Sequence, residues 1–202
     1  MIKIAITGGI GSGKSYISHI LSERFHIPIY NADDEAKKLM VSSSAIRKDL
    51  VDLLGEEAYL PDGSLNKPLL SAYLFASPEH ISVINGIVHP RVRLDFYEWA
   101  SGQSKAGFDI VGIESAILFE AKFEDTVDEV IMVYAPVALR LKRAMSRDGA
   151  KASQIRSRMR QQLPDSVKKK KASYVIYNDE RHDLLEQIDN VVTTLLQRKS
   201  EV

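Results

Sequence analysis

Residues 8–15 read Gly-Gly-Ile-Gly-Ser-Gly-Lys-Ser, a complete G-x-x-x-x-G-K-S pattern, and no other stretch constrains the fold of this chain so tightly. A β-branched apolar run at 2–6 precedes it and a segment with helical spacing at 15–25 follows, so the pattern lies between a strand and a helix. Glycine permits backbone conformations that turn successive N–H groups inward, and the N-terminus of the following helix adds its dipole. The result is a preorganised cradle for phosphate oxygens. In such a loop Lys14 reaches the β- and γ-phosphates and the Ser15 hydroxyl ligates Mg²⁺. Gly8, Gly9, Gly11, Ser12, Gly13 and Tyr16 complete the expected nucleotide-contacting stretch. A glycine-rich turn without function is the competing reading, and the strand, loop, Lys-Ser pair and helix in sequence weigh against it.

Further short apolar runs at 110–113, 130–134 and 175–177 suit strands buried on both faces, and 27–30 is strand-like. Helical spacing at 15–25, 33–40, 138–147 and 183–196 alternates with them, which predicts the α/β class with a parallel sheet flanked by helices. From 42 to 102 the pattern turns helical, with segments at 45–54, 69–75 and 79–99 and strong turn chemistry at Pro61-Asp62-Gly63. The chain of 202 residues therefore reads as one domain. Its nucleotide-binding core is 1–41 and 103–202, with a helical lid at about 140–165, and 42–102 is a helical insertion that binds the acceptor.

Lys plus Arg equals Asp plus Glu at 27 each, so net charge supplies no attraction for nucleic acid or an anionic membrane. Any anion must be met by a local cluster. The absence of cysteine excludes disulfides and cysteinyl zinc sites and fits a reducing compartment. No stretch has the ~18 apolar residues a membrane span requires. The expectation is a cytoplasmic enzyme, monomeric, acting on a small molecule, with no nucleic-acid or membrane partner. The run Lys168 to Lys171 reads as a solvated helix face.

The phosphate loop alone does not separate kinases from GTPases, ATPases or motor domains. No Asn-Lys-x-Asp guanine-reading segment occurs. Six further motifs follow Thr7-Gly8-Gly9 in order: Asn31-Ala32-Asp33; His89-Pro90; Ile117-Leu118-Phe119-Glu120; Arg143-x-x-x-Arg147-Asp148; Arg158-x-x-x-Gln162; and Val175-Ile176-Tyr177-Asn178. Together they resemble the dephospho-CoA kinase family, P-loop kinases of the nucleoside-monophosphate-kinase-like group, over nearly the whole chain. Asn31, Ala116 and Ser173 depart from the family pattern, where Asp, Pro and Asp are usual.

The resemblance implies transfer of the γ-phosphoryl group of ATP, with Mg²⁺, to the ribose 3′-hydroxyl of dephospho-CoA, the last step of coenzyme A synthesis. It makes Asp33 the catalytic base. Read alone, Asp33 is equally a first-turn charge favoured by the helix dipole. Arg140, Arg143 and Arg147 share one helical face, and clustered guanidiniums call for an anion. Arg143 is assigned to the transferring phosphoryl group, Arg147 to the lid and Arg140 to the surface. By resemblance His89, Arg91 and Glu120 line the acceptor side and Asn178 lies near the adenine; as residues alone, His89 ends a helix before Pro90, Glu120 is a cap or ion-pair partner and Asn178 a turn residue. Glu114, ending a strand, is the acidic group that can hold Mg²⁺ through water. Phe96, Tyr97 and Trp99 read as packing of the insertion. A nucleoside-monophosphate kinase and a nucleotide-dependent regulatory ATPase are the alternatives.

Overall fold

The computed structural model describes residues 1–200. Among them five strands form one sheet: β1 (Ile2–Thr7), β2 (Ile29–Asn31), β3 (Ile110–Glu114), β4 (Glu129–Tyr134) and β5 (Tyr174–Tyr177). Their order is β2-β3-β1-β4-β5 and every pairing is parallel. The predicted α/β class is thus realised. Central β1 has neighbours on both edges, and Ile4, Ala5 and Ile6 are fully buried, as a parallel strand covered on both faces requires. After β1 the chain fills one side of the sheet and then the other, so the carboxyl end of β1 is the point where strand order reverses. Ligands of open α/β sheets bind at such a point.

The chain forms two compact units, Met1–Asn31 with Ala100–Val202, and Ala32–Trp99. In the first, α1 (Lys14–Phe25) and α9 (Leu184–Ser200) supply Ile17, Leu21, Ile188, Val192 and Leu195 to a core shared with Ile4, Ile6, Ile131 and Val133 of the sheet. Between β4 and β5 lie α6 (Val137–Asp148), α7 (Ala152–Arg160) and α8 (Asp165–Lys171). The last two were not expected as separate helices: they are short and basic, without the apolar periodicity that marks a helix in sequence. The Lys168 to Lys171 run is not a uniformly solvated face either. Lys168 is fully buried, while Lys169 Nζ lies 3.5 Å from the centroid of the Tyr134 ring and Lys171 pairs with Glu124.

The second unit contains α2 (Ala32–Ser42), α3 (Ser44–Leu54), α4 (Lys67–Ala76) and most of α5 (Pro78–Lys105). The α3 N-terminus is capped by Ser43, which accepts from Ile46 N; Asn66 caps α4 through Leu69 N. The turn expected near residue 62 is present: Asp62 Oδ1 accepts from Ser64 N and Ser64 Oγ, and Tyr59 bridges Leu65 antiparallel. Contrary to the reading of His89-Pro90 as a helix end, α5 runs through Pro90. A proline inside a helix removes one donor from the ladder. Burial of Ile84, Val88, Val92 and Phe96 along one stripe offsets that loss.

Candidate active site

The loop Gly8–Ser15 leaves β1 and enters α1 at the carboxyl edge of the sheet. Gly11 and Gly13 have φ of 77° and 96°, which side chains rarely adopt. Space forbids a side chain there as well: a Cβ would stand 2.2 Å from the Arg140 carbonyl at Gly11 and 2.2 Å from Asn178 Nδ2 at Gly13. Helix α1 has no side-chain cap and no acidic residue in its first turn. Its N–H groups and dipole therefore favour an anion at this end.

Ser15 Oγ donates to Glu114 Oε1 at 2.6 Å. Glu114 ends β3 beside Ile6 of β1 and is 7% exposed. Burying a carboxylate is costly unless it is hydrogen-bonded, and the serine hydroxyl supplies that bond. The pair offers a hydroxyl and a carboxylate oxygen, the donor type a hard cation takes. Among the described residues no cluster of three or more His, Cys, Asp or Glu could hold a metal alone.

A cavity of about 230 Å³ is lined by Gly11, Gly13, Lys14, Ser15, Tyr16, Arg143, Ala144 and Arg147. It gathers two guanidiniums, an ammonium and a helix N-terminus, so its field attracts polyanions. Arg143 Nη1 donates to the Asn178 carbonyl at 3.0 Å and Nη2 to Glu180 Oε1 at 3.1 Å, which fixes the guanidinium beside the cavity. Arg147 is mostly exposed and bonds through Nε to Asp148 Oδ1, an anion that also takes a bond from Arg158 Nη1. The Arg147 guanidinium holds the Asp148 carboxyl below the usual carboxylate range.

Asn178 stands behind the loop. Its Nδ2 donates to the Ser12 carbonyl at 2.8 Å and its backbone N to Tyr134 O. The side-chain amide is thus committed to the loop backbone, a role no sequence signal marked. Arg140, expected at the surface, is 6% exposed. Its Nη2 donates to Asp165 Oδ2 at 2.8 Å, and a Cβ on Gly9 would meet its Nη1. The helical face that carries Arg143 and Arg147 is therefore not one solvent face: the i position turns under the loop and the other two line the cavity. Glu120 Oε1 accepts from Leu163 N at 2.7 Å and lies 3.0 Å from the buried Lys168 Nζ. This is the ion-pair alternative left open for Glu120. Gln162 and Lys168, not singled out as site residues, both reach the Ala116 carbonyl.

The other predicted residues lie on the helical unit. Asp33 occupies the first turn of α2 with Asp34 and Glu35 and is exposed. Lys37 is held above the usual ammonium range, first by its hydrogen bond to Asp34 and further by the charges of Asp34 and Asp33. His89 on α5 is pushed below the usual imidazole range by burial and then by Arg93. Arg91 Nη2 donates to Asp49 Oδ2 on α3 at 2.7 Å and Nη1 to Ile87 O. Phe96 is fully buried, 6.1 Å from the rings of Tyr97 and Trp99; of the aromatic trio expected to pack the insertion, Phe96 does so, Trp99 is half-buried and Tyr97 is exposed. A groove of about 780 Å³ runs past Lys37, Met40, Val41, Leu60, Leu65 and Lys67 within this unit.

A sequence profile described as dephospho-CoA kinase matches residues 2–183. A dephospho-CoA kinase from Bacteroides fragilis is 50% identical over 197 residues, covering 98% of this chain and 94% of that protein. One from Porphyromonas gingivalis is 41% identical over 196 residues, covering 96% and 95%. The solved structure of a dephospho-CoA kinase from Campylobacter jejuni superposes with a TM-score of 0.68 at 21% identity, covering 99% and 98%, and agrees in fold. Matched by that profile over residues 2–183 and by these relatives over 96% and 98% of its length, the chain belongs to the dephospho-CoA kinase family.

Proposed function

We propose that this chain transfers the γ-phosphoryl group of ATP to the ribose 3′-hydroxyl of dephospho-CoA, giving coenzyme A and ADP. The observation that carries the reading is the cavity in which Lys14 and Ser15 face Arg143 and Arg147. Phosphoryl transfer asks the protein for positioning and charge stabilisation more than covalent chemistry. Lys14 and the loop backbone hold the β- and γ-phosphates, and Arg143, anchored on Asn178 and Glu180, stabilises charge on the group in flight. Ser15 and Glu114, paired at 2.6 Å, would hold Mg²⁺, Glu114 through water, and the ion would supply neutralisation of phosphate charge.

Asp33 accepts the proton of the ribose hydroxyl and orients it. It follows β2 by two residues, and Asn31 of β2 is in register with Glu114. The helical unit Ala32–Trp99, which shares 42–99 with the expected insertion at 42–102, holds the acceptor. Its groove has apolar walls and lysines at the rim, which suit a pantetheine arm and a diphosphate. His89 and Arg91 shape the acceptor side from α5, Arg91 while braced on Asp49. Residues 140–165 act as the lid, and Arg147 with Asp148 and Arg158 forms its ionic seam. Glu120 serves this region by holding the α7–α8 connection.

Localisation in the cytoplasm and a monomeric state belong to the same proposal; no described helix is long and apolar enough to cross a membrane. The test is mass spectrometry of the product after incubation with Mg-ATP and dephospho-CoA. A mass gain of one phosphoryl group, placed on the ribose 3′ position by fragmentation, is expected. Phosphorylation of nucleoside monophosphates with dephospho-CoA untouched would overturn it.

A further inference from the structure

Gln162, the last residue of the Arg158-x-x-x-Gln162 motif, lies within the lid segment but has no role of its own in the mechanism above. Its carboxamide nevertheless joins two backbone points at the carboxyl edge of the sheet. Oε1 accepts from Ile10 N in the middle of the phosphate loop at 2.9 Å, and Nε2 donates to Ala116 O at 3.0 Å. Ala116 lies two residues beyond Glu114, whose carboxylate holds Ser15 at the end of the same loop. A neutral carboxamide is the side-chain group that accepts and donates from one planar end. A carboxylate could take the Ile10 bond but would oppose its second oxygen to the Ala116 carbonyl.

The neighbours of Gln162 make its position rigid. Leu163 N donates to Glu120 Oε1, Lys168 Nζ donates to Ala116 O, and Asp165 takes the buried Arg140 guanidinium, which lies against Gly9. The α7–α8 connection is thus fastened on both sides of the carboxamide. At the other end of this segment, Arg158 of α7 bonds Asp148, and Asp148 holds Arg147 in the cavity wall. Ile10 is not among the residues that line the cavity, whereas Gly11, Gly13, Lys14 and Ser15 are. Turning the Ile10 amide toward Gln162 helps set which loop amides face the cavity.

We propose that Gln162 is a positioning residue through which the α7–α8 connection fixes the conformation of the phosphate loop. It acts through Ile10 and Ala116 and touches no reacting atom. The proposal rests on the kinase reading only in taking ATP as the loop's ligand.

The test compares wild type with Gln162→Met, which keeps length and removes both bonds, and with Gln162→Glu, which keeps only the acceptor for Ile10. Amide hydrogen exchange of the segment 8–13 and ATP affinity by titration are read on the whole chain, with melting temperature alongside. Gln162→Met should speed exchange at Ile10 and weaken ATP binding, each by roughly 3- to 10-fold, the scale of one intramolecular hydrogen bond. Gln162→Glu should retain most of the Ile10 protection. Unchanged exchange and unchanged ATP affinity in Gln162→Met, or a lowered melting temperature with neither changed, would overturn the proposal. ATP affinity and exchange need no acceptor, so a failure of the dephospho-CoA assignment shows separately, as ATP binding without transfer to that acceptor.

Discussion

Lys14 and Asp33 ask different questions of single side chains. Lys14 lines the cavity with Ser15 and Arg143, and the proposed mechanism has it act on phosphate charge in both the ground state and the transition state. Lys14→Met should lower kcat/KM by at least ~10²-fold, the scale for losing one preorganised electrostatic group, as steady-state kinetics will show. Asp33 has two readings, proton acceptor and first-turn helix charge, and Asp33→Asn separates them. As the base its loss should lower kcat by roughly 10²–10⁴-fold while melting temperature and ATP affinity hold. The lower end is favoured because a loose transition state asks for little early deprotonation. As a helix charge alone, the change would cost a few tenths of a kcal/mol, roughly the dipole effect, and leave kcat within a few-fold.

Elements are held here by charge as well as by apolar packing. Helix α8 turns the ammonium of Lys168, 0% exposed, onto Glu120 and the Ala116 carbonyl. A buried ion pair adds little against a well-packed apolar pair, but removing one partner leaves an uncompensated buried charge. Glu120→Ala should therefore destabilise the chain by about 3–5 kcal/mol, and adding Lys168→Met should recover much of that loss. For a chain of this size the single variant's melting temperature should fall by roughly 6–20 °C. The same variant tests the acceptor-side reading of Glu120: a raised KM for dephospho-CoA with unchanged stability would return Glu120 to the substrate. On α5, burial and Arg93 lower the pKa of His89. The unfolded imidazole, near 6.5, then binds more protons in acid than the folded one. The contribution of neutral His89 is complete above about pH 6.5 and is lost as pH falls from there toward the folded value. His89→Gln should flatten the decline of melting temperature between about pH 7 and 5, a window above the titration of ordinary carboxylates.

At the scale of the whole molecule the prediction concerns the acceptor. AMP and dephospho-CoA both present a ribose hydroxyl, but the latter adds a second phosphate and a pantetheine arm for the helical unit. Binding energy from remote parts of a substrate can be spent on orientation at the reacting centre, so the longer acceptor should raise kcat as well as lower KM. Competition kinetics with both acceptors check this. Equal kcat/KM for the two would make the chain a general nucleotide kinase.

The parallel α/β core, the phosphate loop and the family were all legible in the chain, because each rests on local regularities: β-branched runs, glycines at positions that require positive φ, and motifs in a fixed order. The sequence also placed Ser15 and Glu114 on the elements that bring them to 2.6 Å. Only the tertiary structure decided which polar residues face inward. Arg140 and Lys168 read as solvated because one-dimensional charge patterns carry no information on what packs against a helix. Burial became possible when Asp165 and Glu120, distant or inconspicuous in sequence, supplied the opposing charges. Asn178 and Gln162 were likewise visible as motif residues, while their partners, Ser12 O, Ile10 N and Ala116 O, are backbone groups. Every residue has such groups, so no sequence pattern distinguishes the ones a side chain will reach; the folded path of the chain makes that choice.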